Sequence, residues 1–262
     1  MTDKISFILA STAHAPMIFS RLDYRNDGCG VGAQLMENGA YDPLEIGQLA
    51  QILIEKRRLY GDGVMVVDCG ANVGVHTVEW GRLMRKWGSI LSFEAQERIY
   101  YALAGNVALN NLFNVKAMHA AVSNKQGEWK ISCPNYTIPS SYGSFELKKS
   151  DHNEFIGQAI DYDKKECIVP LVTIDQFDLS RCDLLKIDVE GMEEEVLEGA
   201  WKTITTFQPV LCIEIIKSDR KAIIKKIQEI GYQCFDFGGN ILAIHEKDEI
   251  LPLINGNKAE ID

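Results

Sequence analysis

Long hydrophobic runs are missing from this sequence. The most apolar stretches, such as Ile5 to Ala10 and Val210 to Ile213, stop far short of the roughly 20 residues that a membrane-spanning helix needs, so no membrane span is expected. The opening Met1-Thr2-Asp3-Lys4 and the brief apolar stretch after it lack the basic start, long apolar segment and small-residue cleavage site of a secretory leader. The expected compartment is therefore the cytoplasm. An excess of positive charge is missing too. Lys plus Arg number 27 against 37 Asp plus Glu, a net charge of −10. That balance argues against nucleic acid as a partner, because such binding rests on neutralising phosphates. The short basic groups Lys56-Arg57-Arg58 and Lys225-Lys226 fit solvated helix faces.

Cysteine pairs with metal-site spacing are also absent. The seven cysteines are scattered, Cys167 and Cys182 being the nearest two, and none forms a CxxC motif or a Cys/His cluster. An odd count without a leader predicts free, mostly buried thiols. There is no internal repeat, low-complexity tract or Pro/Gly/Ser-rich linker. With 46% hydrophobic and 24% charged residues, the composition is that of a globular protein. A chain of 262 residues is long enough for one sizeable core plus extensions.

What is present is alternation. After an irregular extension over residues 1–42, with short strands near Ser6 to Leu9 and Met17 to Phe19, a helix opens at Asp42-Pro43-Leu44-Glu45. Asp42 suits the cap and Pro43 the first helical position. Apolar strands are expected at Val64 to Asp68, Ile90 to Glu94, Val115 to Ala120, Leu184 to Asp188 and Val210 to Glu214. Helices at Val75 to Arg85, Arg98 to Asn110, Glu193 to Ala200 and Arg220 to Ile230 separate or follow them. This pattern predicts an α/β fold whose mainly parallel sheet is covered on both faces. Gln233 to Phe237 and Ile241 to His245, joined by Gly238-Gly239-Asn240, add an antiparallel hairpin and complete a seven-stranded sheet. The main domain is expected over 43–250, with a tail over 251–262. Residues 128–171 interrupt the alternation, with strands at Trp129 to Cys133 and Cys167 to Leu171, and form an insertion expected on the substrate side. Gly28-Cys29-Gly30-Val31-Gly32 has no strand before it and no amphipathic helix directly after it, and reads as a turn.

Three strand ends carry the chemistry. The first is Asp68-Cys69-Gly70-Ala71-Asn72-Val73-Gly74, where glycines at a strand-to-helix turn let the backbone approach a ligand. Asn72 stands where a dinucleotide fold wants glycine to bring a pyrophosphate onto the helix; a cofactor without phosphate relaxes that demand. The second is Phe93-Glu94, an acid placed about 20 residues beyond Gly74, the offset that suits both ribose hydroxyls. The third is Lys186-Ile187-Asp188-Val189-Glu190-Gly191.

Together with Asn106-Val107-Ala108-Leu109-Asn110, Ala120-Ala121-Val122-Ser123 and Val172-Thr173-Ile174-Asp175, these segments resemble the FkbM family of methyltransferases. The likeness runs from about Tyr60 to Glu214, and is weaker over Glu37 to Glu45 and the terminal hairpin. It implies a Rossmann-like class I methyltransferase fold with S-adenosylmethionine as methyl donor. It also implies O-methylation of a small-molecule acceptor, a sugar or secondary metabolite. Asp68, Gly70, Asn72, Gly74, Glu94 and Asp188 would line the cofactor by position, with Ala71 and Ala95 beside them and Ala121 next to the adenine. Asp68 is suited to the cofactor ammonium, directly or through water. Helix amides with His76 or Thr77 are suited to its carboxylate. Asp188 is the first candidate base, followed by Glu190, Glu214 and His76. These three acids have the oxygen chemistry for a divalent metal, but no metal is expected, since strand-end acids more often hold water and amides. Tyr41 and Glu45 are placed to close over the cofactor from the N-terminal side. Tyr136, Tyr142, Gly143, Ser144 and Phe145 are candidates for an acceptor loop. His14, His119, His152 and His245 read as surface or strand-end residues, and Asn106 and Asn110 as braces of backbone. The alternatives are N-methylation of an amine or peptide side chain, an NAD-dependent oxidoreductase, and a non-catalytic binding protein.

Overall fold

The computed structural model describes residues 5–254 and 259; much of the expected tail over 251–262 lies outside the described residues. The first segment is not irregular. Strands β1 (Phe7–Thr12) and β2 (Ala15–Ser20) pair antiparallel, and helix α1 (Val31–Asn38) starts within the Gly28–Gly32 stretch that reads as a turn in the sequence. Met17 and Phe19 of β2 and Val31 and Leu35 of α1 are buried in one cluster, which is why this segment orders although its sequence shows little periodicity.

Helix α2 (Pro43–Tyr60) begins where expected. Asp42, however, takes a left-handed conformation (φ 38°) and makes no side-chain cap; the proline at the first helical position sets the start. Beyond it come β3 (Val64–Cys69), α3 (Val75–Leu83), β4 (Gly88–Glu94), α4 (Glu97–Leu109), β5 (Val115–His119), and the short β6 (Ala121–Val122) and β7 (Gly127–Ile131). The chain continues with β8 (Cys167–Val172), β9 (Leu184–Ile187), α5 (Glu193–Gly199), α6 (Trp201–Phe207), β10 (Val210–Glu214), α7 (Arg220–Gln228) and the hairpin β11 (Tyr232–Phe237) and β12 (Asn240–His245). The main sheet has seven strands in the order β11-β12-β10-β9-β3-β4-β5. β10, β9, β3, β4 and β5 run parallel, and the hairpin joins antiparallel through β12. This is the class I methyltransferase arrangement.

Alternation along the strands explains both the core and the site. Val67, Leu91, Leu185 and Leu211 face α5, α6 and α7 in one buried cluster. Val64, Val66, Ile90, Leu184 and Val210 face the other way, onto Leu49 and Leu53 of α2 and Trp80 of α3. Side chains two residues apart share a face. On this second face the apolar rows therefore give way, toward the strand tips, first to Asp68, Ser92, Lys186 and Cys212, then to Glu94, Asp188 and Glu214. The sheet is apolar at its base and charged at its carboxyl edge.

Two braces fix the surroundings. Asn106 of α4 donates to Ile18 O (2.9 Å) and Val73 O (2.8 Å) and accepts from Ile18 N (2.6 Å), tying β2 to the turn after β3. Asn110 donates to Pro16 O at 3.0 Å. Both asparagines thus brace backbone. The second brace corrects the expectation of free thiols: Cys133 and Cys167 form a disulfide, with Cα atoms 6.2 Å apart. They are far apart in sequence, but β7 and β8 pair with Ile131 opposite Cys167, and this pairing brings the two cysteines together. Of the remaining five, Cys69, Cys182, Cys212 and Cys234 are buried and Cys29 is exposed.

Candidate active site

A cavity of about 260 Å³ opens over the tips of β3, β4 and β9. Its floor is the turn between β3 and α3. Gly70 adopts φ 79°, and a Cβ there would overlap the Asp188 carbonyl, so only glycine lets the β3 and β9 loops approach this closely. Asn72 is also left-handed (φ 52°), a conformation asparagine tolerates. Its side chain accepts from Val73 N at 2.7 Å.

The cavity gathers most residues singled out from the sequence. Asp68, Gly70, Ala71 and Asn72 line it from the turn, His76 from α3, Glu94 and Ala95 from the end of β4, and Ala121 from β6. Asp188, Glu190 and Glu214 line it from the tips of β9 and β10. Two expected residues are elsewhere. Gly74 faces α4, where a Cβ would collide with Leu103. Thr77 is fully buried beneath the cavity, donating to Asp68 Oδ2 at 2.6 Å and lying 2.8 Å from Ser92 Oγ. One helix position past His76 turns the side chain about 100°, from the cavity into the core.

Each acid has its own setting. Asp68 is completely buried; Thr77 occupies Oδ2, and Oδ1 has no partner among the described residues. Glu94 accepts from Gln96 N (2.7 Å) and Asn72 N (3.0 Å). Burial pushes its carboxyl up to about 7, although those amides pull it back. Asp188 Oδ2 is held by Lys186 Nζ at 2.6 Å. Glu190, in a left-handed conformation (φ 55°), faces Lys217 Nζ at 2.6 Å. Glu214 Oε2 is buried without a partner among the described residues. Burial, then the charge of Asp188, push both Glu190 and Glu214 well above the ordinary carboxyl range. Asp188, Glu190 and Glu214 each bring one oxygen within 4.8 Å of the others. Glu193 stiffens their loop by accepting from Val189 N (3.1 Å) and Gly191 N (3.1 Å).

His76 Nε2 lies 3.1 Å from Glu45 Oε1, and Asn240 donates to Glu45 Oε2 at 2.8 Å; Tyr41 lines the cavity beside them and Glu45 stands behind. The other histidines lie outside this cavity, and His14, expected at the surface or a strand end, is buried between Glu79 (3.0 Å) and Tyr41 N (2.9 Å). Sequence reasoning missed Lys186 as a site residue and Cys29, Gly30, Val31 and Gln34 as part of the wall. In the insertion, Ser141, Gly143, Ser144 and Phe145 line the cavity. Tyr142 is instead a core residue, and Tyr136 donates to Gln96 Oε1 at 3.0 Å.

The donor set fits S-adenosylmethionine. The orphaned oxygen of Asp68 is an acceptor awaiting an ammonium, and Glu94 keeps lone pairs for a ribose diol. Asp68, Glu94, Asp188, Glu190 and Glu214 line the cavity, and Lys186, the one Lys or Arg among its described lining residues, is taken up by Asp188, so no cation among them remains for the diphosphate of a dinucleotide. Fold and site together have the layout of a class I S-adenosylmethionine-dependent methyltransferase domain. The family described as methyltransferase FkbM domain matches residues 68–234, and the chain belongs to that family. Methyltransferase sdnD of Sordaria araneosa is 30% identical over 158 residues, which span 51% of this chain and 59% of that protein. Methyltransferase 1 of Beauveria bassiana (strain ARSEF 2860) is 26% identical over 167 residues, 58% of this chain and 66% of the relative. The chain thus matches less than two thirds of the length of either. Among solved structures, methyltransferase FkbM from Methylobacillus flagellatus KT shares the fold, with a TM-score of 0.50 and 16% identity over 70% of this chain and 44% of that one.

Proposed function

We propose that this protein is an O-methyltransferase that methylates a hydroxyl of a small molecule, a sugar or secondary metabolite. The observation that carries this reading is the convergence of Asp188, Glu190 and Glu214 within 4.8 Å at one end of the cavity, with an oxygen on Glu214 that is unpaired among the described residues. Burial and the charge of Asp188 push Glu190 and Glu214 up, which favours the protonated, hydrogen-bond-donating form of an acid in this cluster. Asp188, held by Lys186, accepts. A polyhydroxyl acceptor meets both needs, being donor and acceptor at adjacent positions.

Bound S-adenosylmethionine supplies an electrophilic methyl on a sulfonium. The protein's part is to hold the adenosyl end at Ala121 and Glu94 and the methionine end at Asp68 and the α3 amides. It then aligns the acceptor hydroxyl and excludes water, and Asp188 orients that hydroxyl and takes its proton. The insertion over residues 128–171 serves as the acceptor wall, through Ser141, Ser144 and Phe145. Asp188→Asn tests the assignment. At saturating cofactor, transfer of labelled methyl to hydroxyl acceptors should fall about 100-fold or more. If only amines in the acceptor panel are methylated, and the variant keeps appreciable turnover, the enzyme is an N-methyltransferase.

A further inference from the structure

Lys186 is out of place for its strand. It sits in β9 between Leu185 and Ile187, opposite Asp68 of β3 and Cys212 of β10, and is 3% exposed. Burying an ammonium costs several kcal/mol, and a buried ion pair is often matched or bettered in stability by apolar side chains of similar size. Packing therefore does not account for it. Its neighbours point to the site instead. Its charge faces Asp188 first, then Asp68 of β3 and Glu45 of α2, and it is the one Lys or Arg among the described residues that lines the cavity.

Asp188 is held at three points. Its amide donates to Cys69 O at 3.0 Å, its carbonyl lies against Gly70 so closely that a Cβ has no room, and its Oδ2 takes the Lys186 ammonium at 2.6 Å. Among the described residues no protein donor reaches Oδ1. The carboxylate keeps a third of its surface, and Asp188 lines the cavity. The first two contacts fix the backbone, whereas only Lys186 fixes the side chain.

We propose that Lys186 is a positioning residue: by gripping Oδ2 it turns Asp188 Oδ1 toward the methionine end of S-adenosylmethionine, so that one lone pair meets the cofactor's amino-acid tail beside Asp68 and the other is left for the acceptor hydroxyl. This rests on reading the cavity as the cofactor site. The strand order supports the placement. The expected adenine and ribose contacts lie on the β4 side of β3 at Glu94 and Ala121, and Asp188 lies on the opposite, β9 side.

The test is a calorimetric double-mutant cycle on the full chain, using Lys186→Met, Asp188→Asn and the double variant. Two probes are used: S-adenosylmethionine, and 5′-methylthioadenosine, which lacks the amino-acid tail. Lys186→Met should weaken S-adenosylmethionine binding about tenfold or more while changing 5′-methylthioadenosine binding less than about twofold, and the double variant should match Asp188→Asn within about twofold. Wild-type affinity in Lys186→Met, equal losses for both probes, or multiplying effects of the two substitutions would each overturn the proposal. Equal losses would mark a structural role. If thermal melting shows that Lys186→Met does not fold, Lys186→Leu, equally without a donor, goes through the same cycle under the same criteria. Failure of the wild type to bind S-adenosylmethionine would remove the cofactor reading itself, and this proposal with it.

Discussion

At Glu94, burial and ligand binding pull in opposite directions. Burial disfavours the charged carboxylate, pushing it up to about 7, whereas a ribose diol is held best by the ionised form. Affinity for S-adenosylmethionine should therefore fall as pH drops from 8 to 6, by at most about tenfold per pH unit. Glu94→Gln should bind more weakly at pH 8 and lose most of that pH dependence, which isothermal titration at the two pH values checks. A flat wild-type profile would mean that Glu94 does not hold the ribose through its charge. Glu94, Asp68 and Asp188 were legible from sequence because each follows an apolar strand and precedes a turn, and strand ends are where open α/β sheets place ligands. Thr77 and Lys186 were not. The side toward which Thr77 points depends on how α3 is rotated on the sheet, and a lysine among leucines and isoleucines declares its burial only when its partners Asp68 and Asp188 are in register.

At the level of elements, continuous apolar runs such as Val210–Glu214 gave the parallel strands nearly residue for residue, and Gly238 (φ 64°) marked the terminal hairpin. Where order depends on partners distant in sequence, local pattern failed. Buried Asp23 illustrates this: its carboxylate accepts from Gly32 N at 3.0 Å and Tyr142 N at 2.9 Å, joining the first segment, α1 and the insertion. The disulfide is another such case, since cysteine spacing carries no trace of β7–β8 pairing. It closes a segment with a sequence separation of 34, and that segment contributes Ser141, Ser144 and Phe145 to the cavity. Cys133→Ser should lower stability by about 2–4 kcal/mol, measured by urea unfolding. It should also speed hydrogen exchange in residues 134–166 while leaving β3, β4 and β9 protected. Unchanged exchange in that segment would show that its hydrogen bonds to Gln96 and Asp23 suffice.

The whole molecule stores several protons in its buried acids. Burial raises Asp23 to about 6 and Glu94 to about 7, and Glu190 and Glu214 shift the same way. The folded state thus binds more protons than the unfolded chain above the ordinary carboxyl range. The stability these groups contribute is complete below about pH 4 and is lost as pH rises through 6 and 7. The ligand-free protein should melt several degrees lower at pH 8 than at pH 5 by scanning calorimetry, a size typical of 1–2 kcal/mol in a chain this long; a higher melting temperature at pH 8 would run against this charge assignment. A bound cation should offset part of that loss, in keeping with a cavity built for a sulfonium. Titration of the chain with S-adenosylmethionine and with NAD decides whether it was. One S-adenosylmethionine should bind per chain, about tenfold more weakly after Asp68→Asn or Glu94→Gln, and NAD should give no heat. Tight binding of NAD with none of S-adenosylmethionine would contradict the assignment outright.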